Sequence, residues 1–207
     1  MVVYIESNFI LELIFDQEQC ASAERVLEFV EQGGASLRLP SFALLEPFYR
    51  VTRQVTRRSD VRRSLEQERK HLHRATNETG RRATALVMQA IAALDEVNLA
   101  EYGRLYTMLD RIMACAQVLP ITHSVYSLAR RYQDEFDLGY PDAIIAASVL
   151  EDLEHHQHES VFLCRDRVLT DSLRPEFERR HCDLFTSFER AAYFVAERKG
   201  LAGSALP

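Results

Sequence analysis

Glycine, proline and cysteine are all scarce in this 207-residue sequence, at 7, 6 and 4 residues, and tryptophan is missing altogether. With so little turn-forming residue, 47% hydrophobic residues and 27% charged ones, the composition disfavours a disordered chain and suits a helix-rich globular protein. The cysteines, Cys20, Cys115, Cys164 and Cys182, show no CxxC spacing, which argues against a zinc site or a disulfide framework and makes a reducing, cytoplasmic setting the expectation. No uninterrupted apolar run approaches the roughly 18 residues of a membrane span, so no membrane partner is expected. The N-terminal apolar stretch carries Glu6 and Glu12 and lacks a basic leader and a small-residue cleavage site, so it does not read as a signal peptide.

Positive charge is in deficit overall, with a formal net charge of −6, but it is unevenly spread. Between Arg50 and Arg82 stand ten arginines and one lysine against Asp60, Glu66, Glu68 and Glu78, a net of +7 that leaves −13 for the rest. Such a chain can meet polyanions through one element and metal cations through another. Taken alone, the basic run reads better as a solvated helix face.

The length suits one well-buried core with a large insertion. Val2–Ile5 reads as a buried strand, followed by helices from about Asn8 to Phe15 and from Ser22 to Glu31, the second ended by Gly33-Gly34. Ser36–Pro40 is a second strand, after which Ser41 is expected to cap a helix that Pro47 kinks or ends. From Arg50 to about Cys115 there is no strand signal, and breaks at Asp60 and Thr79-Gly80 predict three or four helices. Beyond it, Val118–Ile121, Ser160–Cys164 and Cys182–Phe185 read as extended, and 124–135, 141–155 and 187–198 as helical. Strand and helix alternation predicts an α/β fold with a parallel sheet.

Such sheets carry their sites at the carboxyl ends of the strands. Glu6 follows the first strand and Asp166 follows Ser160–Cys164, while Glu46 and Asp142 stand in the first turns of helices expected to face the same edge. Four converging carboxylates would raise one another's pKa values unless a cation sat among them, and oxygen-only ligands suit Mg²⁺ or Mn²⁺. A divalent ion so placed can activate water for hydrolysis of a phosphodiester. Each acid also has a plainer reading, Asp142 as a helix-start acid, Glu46 as a solvent-facing residue and Asp166 as a turn cap. Glu6 is the hardest to read so, because a carboxylate at a buried strand end needs a partner.

These stations, in this order, resemble the PIN-domain nucleases, which include the toxin ribonucleases of bacterial toxin–antitoxin pairs. "YIESNFILEL" is similar to the family's strand ending in Asp-x-Asn, with Glu6 in place of Asp; "LPSFALLE" matches the second acid at Glu46; "PDAIIAASVLE" matches the third at Asp142; and "FLCRDR" supplies the fourth, Asp166, with Cys164 where a hydroxyl is usual. The resemblance spans roughly Met1–Pro47 and Val118–Val195. It implies a three-layer α/β/α fold with a short central parallel sheet, one domain over residues 1–198 with an enlarged helical insertion within 48–117, and a loose tail at 199–207. It further implies a Mg²⁺- or Mn²⁺-dependent endoribonuclease with Glu6, Glu46, Asp142 and Asp166 as metal ligands and Asn8 holding a ligand or water. The substrate would be single-stranded or structured RNA such as tRNA, the partners an antitoxin protein and a second copy in a homodimer. Glu6 and Cys164 depart from the pattern, in the direction of an altered metal preference, slower chemistry or, as the alternative reading, a degenerate domain that binds RNA or protein without cutting.

Asp137 and Asp171 are auxiliary acids near this constellation. Tyr49 with Arg53, Arg57, Arg58, Arg62 and Arg63 recurs at helical spacing and is the candidate RNA grip, or else pairs with acidic neighbours. The tract His155, His156, His158 reads as solvated histidines at a helix end. A third reading is an unrelated doubly wound phosphohydrolase acting on a small molecule.

Overall fold

A computed structural model describes residues 1–156 and 158–198. The expected loose tail at 199–207 lies outside the described residues. The chain divides into two compact units, one made of Met1–Pro47 with the chain from Met108 onward, the other of Phe48–Thr107.

The first unit is built on a five-stranded, wholly parallel sheet: β1 (Val2–Ile5), β2 (Ser36–Pro40), β3 (Ala116–Leu119), β4 (Ser160–Leu163) and β5 (Cys182–Phe185), in the order β3-β2-β1-β4-β5. Val3 pairs in register with Leu37 on one side and Val161 on the other, so β1 is central. β1 and β4 are buried along their whole length, which is why they read as unbroken apolar runs rather than alternating ones.

Helices α1 (Ser7–Phe15), α2 (Cys20–Glu31) and α8 (Phe188–Arg198) pack together, with α8 also against β4 and β5. Helices α5 (His123–Phe136), α6 (Tyr140–His155) and α7 (Arg167–Arg179) form a second group, with α6 against β2 and β3. This is the doubly wound α/β architecture expected from the alternation. Gly33 takes φ +74 just past α2, the left-handed position where glycine meets no steric penalty. Inside the sheet, Tyr4 donates to Asp152 Oδ2 at 2.6 Å and Arg38 pairs with the same carboxylate, so the charges placed within the core neutralise one another.

Several boundaries differ from expectation for identifiable reasons. Ser41 does not cap an α-helix; it starts a 3₁₀ turn, Ser41–Leu44, and α3 (Leu45–Leu72) begins after it. Pro47 is therefore third in α3, where its missing N–H has no helical partner to lose, and it does not end the helix. Helix α7 was not expected, because its charged run and internal Pro175 mask the buried stripe Leu169, Leu173 and Phe177.

The second unit is an antiparallel helical hairpin rather than three or four helices. Its helices belong to α3 and to α4 (Glu78–Cys115); Asp60 does not interrupt α3, and the break falls at 73–77, where Asn77 Oδ1 accepts the Gly80 N–H at 2.7 Å. Val55, Arg58, Leu65, Arg69 and Leu72 on α3, and Val87, Ile91, Leu94 and Asn98 on α4, are half-buried at steps of three and four residues, with one step of seven from Arg58 to Leu65. That is the periodicity of a coiled-coil seam. Arg58 forks onto Glu101 at 2.6 and 2.7 Å and reaches Asn98 at 3.2 Å, while Arg62 stands 3.6 Å from Asp95. Leu86, Met88, Val97 and Leu99 remain exposed outside the seam. By length and composition α4 is long and apolar enough to cross a membrane, although Asp95 and Glu96 fall inside its apolar stretch.

Candidate functional site

Strand order reverses between β1 and β4: the chain leads from β1 outward to β2 and β3, then returns to β4 and leads outward to β5. In an open parallel sheet that reversal opens a crevice beyond the carboxyl ends of the two central strands, where ligands bind. Glu6 follows β1 directly and Asp166 opens α7 two residues after Cys164, so both flank the crevice.

Glu6 is 4% exposed and caps α1, with φ −120 and its Oε2 accepting the Asn8 N–H at 3.1 Å. Asn8 Nδ2 donates to the same oxygen at 3.1 Å and Ser7 Oγ lies 3.4 Å from it. The second oxygen, Oε1, accepts the backbone N–H of Arg165 at 3.1 Å, in the segment that leaves β4. Glutamate instead of aspartate now has a local reason. One oxygen caps the helix, and the added methylene, about 1.5 Å of reach, takes the other toward the neighbouring strand's exit.

Burial lifts the Glu6 carboxyl to about 7; the Asn8 and Arg165 donors oppose that rise and the charge of Glu46 adds to it. Asp142, in the first turn of α6 behind Pro141, is raised by burial and then by Asp166 and Glu46. Cys164 is buried and its thiol is pushed well up, first by burial and then by Glu6, with Asp166 and Asp142 contributing. Glu46 thus lies within electrostatic reach of Glu6 and of Asp142, and Asp142 of Asp166, the four acids coming from four different elements. Glu46, in the first turn of α3, accepts a hydrogen bond from Ser7 Oγ, which links the first and second acids through a hydroxyl. Asp166 caps α7, its Oδ1 accepting the Leu169 N–H at 3.0 Å.

The donors are hard oxygens that repel one another, the setting a divalent cation relieves. Among the described residues no three His, Cys, Asp or Glu side chains are already arranged around one ion position. Mg²⁺ asks for little more than one or two carboxylates, because it retains several waters. The donor set therefore fits the ion in chemistry, while its side chains are held by internal hydrogen bonds.

Other expected residues fall differently. Asn8 does act on a candidate ligand, through both its backbone and its side chain. Asp137 is the exposed left-handed cap of α5, at φ +51. Asp171 is exposed and stands 3.5 Å from Arg174. Of the five arginines, Arg58 is engaged by Glu101, Arg62 by Glu66 at 3.4 Å as well as Asp95, and Arg63 by Asp60 at 3.1 Å. Arg53 and Arg57 line a cleft of about 760 Å³ along α3, with Tyr49 and Arg50. Sequence reasoning missed Ser7 and Arg165. Ser7 carries a local signal as a hydroxyl beside the first acid; Arg165 carries none, since it contributes a backbone N–H.

A family model for the PIN domain matches residues 3–168. No curated protein and no solved structure matches the chain. The matched span reaches from β1 to the start of α7 and takes in all four acids, and with the parallel sheet and its carboxyl-edge carboxylates it assigns the protein: the chain belongs to the PIN-domain family, whose members are generally nucleases that commonly use a divalent metal.

Proposed function

We propose that this PIN domain is a Mg²⁺- or Mn²⁺-dependent endoribonuclease whose centre is the crevice flanked by Glu6 and Asp166 and completed by Glu46 and Asp142. The observation that carries the reading is the chain of contacts at the strand-order reversal, the Ser7 hydroxyl between Glu6 and Glu46 and the charge of Glu46 and Asp166 acting on Asp142. A bound divalent ion there supplies a water of lowered pKa and neutralises phosphate charge. The chain's own residues do the rest. Asp142 and Asp166, both half-buried and coupled to each other, present the accessible carboxylates, whereas Glu6 lies deeper and is fixed by Asn8 and Arg165. Ser7 orients Glu46.

Arg53 and Arg57, exposed beside Tyr49, are the arginines best placed to track a phosphate backbone, a contact that gives grip without sequence readout. Selectivity then comes from RNA shape or unpaired loops. The test is cleavage of single-stranded RNA and tRNA by purified protein with Mn²⁺, against Asp142→Asn. The expected result is cutting by the wild type and a loss of at least about 100-fold in the variant, the scale on which an outer-shell change alone already acts. No cutting, together with an inert Asp142→Asn, would sink the reading.

A second reading, an RNA-binding PIN domain without catalysis, is favoured by one observation: both oxygens of Glu6 already accept hydrogen bonds, Oε2 as the cap of α1 and Oε1 from the Arg165 N–H. Calorimetry separates the two, because Mn²⁺ binding weakened by each of the four acid substitutions belongs to the enzyme.

A further inference from the structure

The reading above leaves one deeply buried charge unused. Glu12 on α1 is 1% exposed, six residues after Glu6, and no step of the proposed chemistry touches it. Its Oε2 accepts the Gln19 N–H at 2.9 Å, and its Oε1 accepts the Arg165 guanidinium. Gln19 in turn accepts the Phe188 N–H at 2.6 Å, which fixes the turn between α1 and α2 against the start of α8. Arg165 therefore makes two bonds to α1, its guanidinium to Glu12 and its backbone N–H to Glu6. Asp166 is the next residue, and it heads α7.

We propose that Glu12 is a positioning residue: through Arg165 it fastens the segment 164–166 to α1 and thereby sets Glu6 and Asp166 in place as a pair. This rests on the reading of that pair as ion ligands. The physical case is one of constraint. The Cys164 N–H, on the Phe185 carbonyl at 3.0 Å, ties the start of the segment to β5; toward α1 a single backbone N–H to Glu6 would leave Arg165 free to swing about that bond, and the second, charge-assisted anchor removes the freedom. Burying the Glu12 charge is costly and a paired charge adds little net stability over an apolar replacement, so the arrangement makes better sense as a device for geometry than for stability. Arg165 is partly exposed, so its other donors keep access to water when Glu12 is neutralised.

The experiment uses the full chain and two readouts, Mn²⁺ affinity by calorimetry and hydrogen exchange of the Arg165 amide without metal. Glu12→Gln is expected to weaken Mn²⁺ binding about 10- to 100-fold, the usual effect of losing an outer-shell partner, and to speed exchange at Arg165 while the amides of Val161 and Phe162 stay protected. Arg165→Lys, which keeps a cation for Glu12, is expected to retain most of the wild-type affinity. Should Glu12→Gln fail to fold, the pair Glu12→Met with Arg165→Met supplies an apolar, shape-conserving replacement with the same expected loss. Unchanged Mn²⁺ affinity in the folded variants, or unchanged Arg165 exchange, overturns the proposal. A wild type that takes up no Mn²⁺ sinks the ion reading instead, and the exchange comparison still decides whether Glu12 fixes the loop.

Discussion

In the α/β unit Tyr4, Ile5, Phe9 and Phe162 are completely buried, whereas in the helical hairpin Val55, Leu65, Val87, Ile91 and Leu94 stay half-exposed along their seam. A sheet covered by helices encloses a side chain from every direction; two helices facing each other leave the flanks of the seam open to water. The apolar term therefore dominates in the first unit, and specific polar contacts matter more in the second. There the fork of Arg58 on Glu101 sits at the most buried polar position of the seam, with the Glu101 side chain 6% exposed. The same contrast appears in the charges. The hairpin pairs its buried carboxylate, and the α/β unit likewise pairs Asp152 with Arg38 and Glu12 with Arg165, but at its carboxyl edge it gathers Glu6, Glu46, Asp142 and Asp166.

The largest effect should come from the core. Phe162→Ala empties a position stacked on Phe177 at 5.3 Å and should cost about 3–5 kcal/mol in urea unfolding followed by far-UV circular dichroism; a cost near 1 kcal/mol would break the contrast between the units. Next is the charge left unpaired at the crevice. Folding raises the Glu6 carboxyl from 4.5 to about 7, so between those values the folded chain holds a proton that the unfolded chain has released. The stability from this group is complete below pH 4.5 and lost as pH rises through 7, on the order of 3 kcal/mol. Unfolding in chelator at pH 5 and pH 8 should show this decline in the wild type and a flatter profile in Glu6→Gln. Mn²⁺, which needs the ionised form, should bind more tightly across the same rise.

In the hairpin, Arg58→Ala strands Glu101 in the seam and should cost about 2 kcal/mol, less than for a fully buried pair because Arg58 is itself partly solvated. The double change Arg58→Met with Glu101→Leu should recover that loss, which would show that pairing, not charge as such, is what the seam requires. The smallest effect is at the bend. Asn77→Ala removes the acceptor for the Gly80 N–H and should cost about 1 kcal/mol, seen as earlier fraying of α4 in amide exchange.

Much of this was legible in residue order. Val2–Ile5, Ser36–Pro40 and Cys182–Phe185 fall where their apolar content puts them, and the acids at the strand exits and helix starts could be named before any coordinates. The failures share a cause. Ser41 and Pro47 break the local expectation because a 3₁₀ turn, not visible in propensity, shifts the start of α3 by three residues, from Phe42 to Leu45. Asp60 looked like a break because its tolerance inside a long exposed helix depends on a partner, Arg63, one turn away. The roles of Ser7, Glu12 and Arg165 depend on residues 39 and 153 positions distant, and no local pattern announces such pairs.

Sequence alone determined that carboxylates end the strands, that the sheet is parallel, and that basic charge gathers between Arg50 and Arg82. Only the tertiary structure decided what each carboxylate faces. Glu6 meets the Arg165 N–H, 159 residues away, because β1 and β4 are neighbours at the reversal of strand order, and that adjacency is fixed by how the whole chain buries its apolar surface.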